Sequence, residues 1–156
     1  MATFDREPVV NVPQGDRELR TSRTIGSPRE RVFRAFADPA ELAGWWGPKG
    51  FTNTFHEFDL RKGGSWRFTM HGPDGRNYSN ESVFVEVEPP KRVLLRHLSA
   101  PRFEMTITFA EQGEGTVVGW RQVFETAAER ERIGKYAVEA NEQNLDRLAA
   151  HVLRMG

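Results

Sequence analysis

The stretch TAAERERIGKYAVEANEQNLDRLAAHVL, residues 126–153, decides the fold, because it is the longest periodic run in the chain. Gly134, Val138, Asn141, Leu145, Leu148 and Val152 recur at steps of three and four, which places them along one side of an α-helix. Arg130, Lys135, Glu139, Glu142, Asp146 and Arg147 fall mainly off that stripe. Thr126-Ala127-Ala128-Glu129 has the form of a capping box, in which a hydroxyl and a carboxylate satisfy the exposed N–H groups of the first turn. The pattern predicts one amphipathic helix of about seven turns or more. Asn141 interrupts its apolar stripe. A buried amide without a partner costs on the order of 1–3 kcal/mol, so this side chain must find a hydrogen bond or face something polar.

Working back from the helix, residues 51–124 change to period two, with turn signals at fairly even intervals. Strands are predicted at 52–60, 65–71, 78–88, 92–98, 103–110 and 116–124. Between them lie Lys62-Gly63-Gly64, Gly72-Pro73-Asp74-Gly75, Pro89-Pro90, Ser99-Ala100-Pro101 and Gln112-Gly113-Glu114-Gly115. Loops this short join antiparallel neighbours. Further upstream, Ser27-Pro28-Arg29-Glu30 offers a capping residue, a proline at the first helical position and a glutamate, followed by the apolar Val32, Phe33, Phe36 and Ala37. Asp38-Pro39-Ala40-Glu41 repeats the signal, and Trp45-Trp46-Gly47-Pro48 stops the second helix. Leu19, Thr21, Arg23 and Ile25 alternate as a partly exposed first strand over 17–25.

The order is strand, two short helices, six strands, long helix. The fold class is α+β: a strongly curved antiparallel sheet of six to seven strands, whose apolar face only the C-terminal helix is large enough to cover. A straight helix held in a curved sheet leaves room beside it, so the geometry favours a cavity. Residues 17–156 are expected to form a single domain, with 1–16, which carry Pro8, Pro13 and Gly15, as a loosely attached extension.

Composition narrows the function classes. A chain of 156 residues suffices for one core. With 22 basic and 22 acidic residues the formal charge is zero, so no field favours nucleic acid or an anionic membrane. The absence of cysteine excludes disulfides, thiol catalysis and thiolate metal sites. Neither a signal peptide nor a membrane-spanning run is expected, and a cytoplasmic protein is expected. There is no phosphate-binding glycine loop, dinucleotide fingerprint or Gly-x-Ser-x-Gly, so no cofactor is expected. A homodimer is left open.

Several motifs, in order, carry a family resemblance: residues 28–36 with Trp45-Trp46-Gly47-Pro48, the run DLRKGGSWRF at 59–68, MHGPDG at 70–75, VEVEPPKRV at 85–93, and NLDRL at 144–148. Over roughly residues 17–153 the chain resembles the activator of heat shock protein 90 ATPase homologue family, within the SRPBCC or START-like superfamily. The resemblance implies a helix-grip fold of the START-like, Bet v 1-like kind with a hydrophobic cavity. That superfamily includes lipid carriers, hormone receptors and aromatic polyketide cyclases. The eukaryotic cochaperones of the family carry an additional large N-terminal domain, whereas about sixteen residues precede the first strand here.

Trp66, Phe68 and Met70 share one strand face, and Phe103, Met105, Ile107 and Phe109 another. Singly each reads as core; as a set the resemblance makes them cavity lining suited to a flat or oily ligand. Of Trp45 and Trp46, one is expected to pack inward and the other to close the mouth. Trp120 and Gln122 share a face of the last strand, opposite Val117, Gly119 and Val123, and which face points inward is open. The candidate ligand-binding set is therefore Trp45, Trp46, Trp66, Phe68, Met70, His97, Met105, Trp120, Gln122, Val138, Asn141 and Leu145.

His56, His71, His97 and His151 are not spaced as metal ligands, and no metal site is expected. His97 alternates with Val93 and Leu95 on an apolar face, which makes it the first candidate for an acid or base. Glu81 and Asn141 are the other catalytic candidates. Glu57 and Asp59 read as wet-side carboxylates near Arg61 and Arg67. The expected function is binding of a small apolar or amphipathic molecule between sheet and helix. A cyclase- or dehydratase-like enzyme using the same cavity is the alternative, and a chaperone-associated protein the second.

Overall fold

Thr126 caps the C-terminal helix as its sequence predicts: its hydroxyl accepts the Glu129 N–H at 3.1 Å. In a computed structural model that describes residues 15–155, this helix, α3, runs Ala127–Arg154. The strands are β1 (Glu18–Ile25), β2 (Thr52–Phe58), β3 (Ser65–His71), β4 (Asn77–Glu88), β5 (Arg92–His97), β6 (Phe103–Gln112) and β7 (Gly115–Phe124). They form one antiparallel sheet of seven strands in the order β1-β7-β6-β5-β4-β3-β2. Most of the expected extension, residues 1–14, lies outside the described residues; residues Gly15–Arg17 form a 3-10 turn.

Two irregularities help to curve the sheet. The β2–β3 register shifts between Phe55 and Glu57, and the β4–β5 register between Phe84 and Glu86. An extra residue in one strand bends it and increases its twist. The concave face then wraps α3, giving the curved, helix-gripping sheet that the element order predicts.

The short helices sit between β1 and β2, at opposite edges of the sheet. Helix α1 spans Arg29–Ala37 and α2 Pro39–Leu42. Asp38 caps α2 through Ala40 N at 3.0 Å, as expected. Ser27 does not cap α1: Pro28 is the N-cap, without a side-chain bond, while the Ser27 carbonyl accepts the Thr116 hydroxyl at 2.7 Å. Helix α2 also stops short of the tryptophans, at Leu42.

The main core lies between α1, the C-terminal half of α3 and the sheet, with Val32, Phe36, Leu42, Leu145, Leu148 and Val152 all but inaccessible. Burying each large apolar side chain is worth about 1.5–3 kcal/mol. Arg31 fastens this end by donating to Val152 O at 2.7 Å and Met155 O at 2.6 Å. On its polar side α3 is held to β1, where Thr21 bonds Glu142 and Arg23 pairs with Asp146 at 2.6 Å.

Candidate functional site

Strand alternation and register bring the site together. On the concave face, Trp66, Ser82, His97 and Phe103 lie in one row across β3–β6, and Leu95, Met105 and Gln122 in the next across β5–β7. Trp120 lies one pair further along β7, opposite Ile107. The inward face of the last strand is therefore that of Trp120 and Gln122. Over this region α3 presents Ile133, Tyr136, Ala137, Ala140, Asn141 and Asn144. Alanines are too short to reach the sheet. The result is a cavity of about 600 Å³, walled by strand aromatics on one side and by the N-terminal half of α3 on the other.

Its third wall is the loop after α2. Trp45 turns into the core, where its indole N–H donates to Ala35 O at 2.8 Å. Trp46 turns the opposite way into the cavity, its ring 4.9 Å from that of Trp66 and 5.5 Å from that of Trp120. Three side chains of α3 hold the loop. Arg147 donates to the carbonyls of Trp46, Gly47 and Pro48 (3.3, 2.9 and 2.9 Å) and, through Nη2, to those of Gly44 and Phe51 (3.4 and 3.0 Å). Asn144 donates to Trp45 O at 3.0 Å, and Gln143 Oε1 accepts from Lys49 N at 3.1 Å. Gly47 has φ near +100°, which residues with a Cβ rarely adopt, and a Cβ there would press on the Met70 methyl at 2.6 Å, so glycine suits the turn that closes the loop on β3.

The polar groups are few. Asn141 Nδ2 donates to Gln122 Oε1 at 3.1 Å, which answers the question its place in the helix stripe poses: the amide has a side-chain partner, and both residues face the cavity. His97 stacks on Phe103 at 4.6 Å. Its Nδ1–H donates to Pro101 O at 2.9 Å, since a carbonyl can only accept. Nε2 lies 2.8 Å from Asn80 Oδ1 and 3.3 Å from Ser99 Oγ, so both ring nitrogens are engaged within the wall. Burial lowers its pKa below the ordinary 6.5, against the raising effect of hydrogen bonds with Pro101 and Ser99. The indole N–H groups of Trp66 and Trp120 are buried among aromatic rings without a hydrogen-bond partner.

Of the sequence candidates, Trp46, Trp66, Phe68, Met70, His97, Met105, Trp120, Gln122 and Asn141 stand on the cavity wall. Trp45 and Leu145 do not: both are packed into the core. Val138 is 51 % exposed. It shares a helix face with Leu145, but α1 meets α3 near the C-terminal end and leaves the earlier part of that face open; Ala137 takes the inward place. Glu81 is exposed and off the wall, because alternation along β4 turns Asn80 and Ser82 inward instead. Glu57 and Asp59 pair with Arg67 and Arg61 on the wet side. No group of three His, Asp or Glu that could hold a metal ion occurs among the described residues.

The sequence reading missed Ala137, Ala140, Asn144, Tyr78, Tyr136 and the loop-holding Arg147. Alanine carries little periodic signal, and Asn144 and Arg147 read as solvated positions. The NLDRL motif that contains both was the available clue.

The model of the family described as Activator of Hsp90 ATPase homolog 1-like protein matches residues 27–152. Protein NE0264 from Nitrosomonas europaea has a similar structure, with a TM-score of 0.84 at 20% identity, covering 92% of this chain and 99% of its own. Protein CV1439 from Chromobacterium violaceum gives 0.78 at 27% identity, over 87% and 96%. A protein from Arthrobacter aurescens gives 0.84 at 18%, over 96% and 94%. These likenesses show the helix-grip fold. No curated protein matches the sequence.

Proposed function

This chain belongs to the Activator of Hsp90 ATPase homolog 1-like family, and from that membership and its geometry we propose that it binds a small apolar or amphipathic molecule between the sheet and α3. The observation that carries this reading is the cavity of about 600 Å³. That volume lies in the range of small-molecule sites, which are lined mainly by apolar and aromatic groups with a few placed polar ones. Trp46, Trp66 and Trp120 supply the apolar contact, and the Gln122–Asn141 pair the polar one.

Acid–base turnover in the same cavity would need converging titratable groups. Among the described residues, the wall offers His97 and, at exposed positions, Tyr78 and Tyr136. Neither carboxylates nor lysines accompany them, which favours binding over catalysis.

Titration of the purified protein with N-phenyl-1-naphthylamine, a neutral dye that brightens in apolar surroundings, tests the reading. Saturable enhancement at one site per chain, lost in Trp46→Ala with the fold retained, is expected. A flat titration would count against a binding cavity.

A further inference from the structure

The charge and hydrogen-bonding pattern of the wall narrows the ligand further, on the premise that the cavity is a binding site. Among the described residues none of those lining it is Asp, Glu, Lys or Arg. The one histidine has its pKa lowered by burial, and both its ring nitrogens are already engaged, Nδ1 by Pro101 O and Nε2 by Asn80 Oδ1. A carboxylate, sulfonate or ammonium group entering this space would leave its hydration shell and meet no opposite charge, an unfavourable exchange.

The Gln122–Asn141 pair adds a positive requirement. Each amide has a carbonyl and an NH2 group, and their mutual bond uses one donor and one acceptor. What remains is the NH2 of Gln122 and the carbonyl of Asn141, neither with a further side-chain bond among the described residues, while the Trp66 and Trp120 indole N–H groups of the same wall are buried donors without a partner. Exchanging O and N on both side chains leaves the same inventory, one NH2 group beside one carbonyl. Gln122 is only 6 % exposed, yet it stands on the cavity wall. Its amide is thus a buried polar group that faces the cavity, opposite Asn141 on α3. Trp120, on the same strand face, provides an aromatic surface alongside it, and Trp46 lies 5.5 Å from Trp120.

We propose that the cavity selects uncharged, flat aromatic molecules carrying a hydrogen-bond donor beside an acceptor, as in a carboxamide, lactam or hydroxy-ketone, with that edge docked on Gln122 and Asn141. Fatty acids and aromatic carboxylates of similar size are discriminated against. Gln122 and Asn141 are the specificity-determining residues, and the tryptophans supply the bulk of the contact.

A matched pair of probes reads this directly. Biphenyl-4-carboxamide and biphenyl-4-carboxylate have the same shape and differ in charge and donor content. Each competes with N-phenyl-1-naphthylamine for the full chain at pH 7.5. The carboxamide is expected to compete at a concentration at least about tenfold lower, the scale of one well-made hydrogen bond plus an avoided buried charge. In Gln122→Leu and, separately, Asn141→Leu, the affinity for the carboxamide falls at least about threefold while the dye still binds; a dye signal certifies each fold. Equal or tighter competition by the carboxylate overturns the proposal, as does a carboxamide affinity unchanged in both variants. Dye binding with neither compound competing overturns the assignment of the polar edge and leaves the binding cavity standing. No dye binding in the parent protein overturns both.

Discussion

Helix α3 meets the same sheet in two different ways along its length. Its C-terminal half carries Leu145, Leu148 and Val152, which are buried in one cluster with Val32, Phe36 and Leu42. Its N-terminal half turns Ala137, Ala140 and Asn141 toward the strands, flanked by Ile133 and Tyr136, and a cavity follows. The strands do not make the difference, since they are rich in large apolar groups beneath both halves. Side-chain size on one helix does. A solid half gives the domain its stability, and that lets the hollow half forgo packing energy.

The contrast can be broken most severely at Leu148. Leu148→Ala should lose about 2–5 kcal/mol, because a void in rigid surroundings cannot collapse. Urea unfolding measures it; a loss below about 1 kcal/mol would mean that the C-terminal half is not close-packed. Arg147 sits in the C-terminal half but reaches the loop that walls the cavity. Arg147→Met should cost about 1.5–3 kcal/mol by leaving loop carbonyls unpaired, and should also weaken dye binding, since Trp46 loses its anchor. Destabilisation with unchanged dye affinity would separate the loop from the site.

A smaller effect reports on the hollow half. Burial lowers the pKa of His97 below 6.5, so the folded ring stays neutral while the unfolded ring takes up a proton. The unfolded state then binds more protons, and stability from this group is complete above about pH 6.5 and declines as pH falls toward the lowered value. Comparing urea midpoints at pH 7.5 and 5.5 should show His97→Gln losing less on acidification than the parent. An equal loss in both would place the ring in water.

The elements were legible because their periods are long and their punctuation is strong: Ser65–His71 and the Thr126 cap stand where the pattern places them. The aromatic strand faces were legible for the same reason. What could not be read was the rotation of α3 on the sheet. Val138 and Ala137 are neighbours in sequence, and a stripe built on large apolar residues selects the valine; packing against α1 at one end only turns the alanine inward. Nor could a count of apolar residues reveal a cavity, which depends on how short the facing side chains are. Arg147 resembles any solvated arginine until five loop carbonyls are found within reach of its guanidinium.

Filling the hollow half tests the central claim most directly. Ala140 lines the cavity, so Ala140→Leu places three further carbons in vacant space. Unfolding and dye titration on this one variant should show stability changed by no more than about 1 kcal/mol, against the 1–3 kcal/mol lost on overpacking a filled core, and dye affinity reduced at least about tenfold. A variant that loses several kcal/mol, or one that binds the dye as well as the parent, would contradict the account.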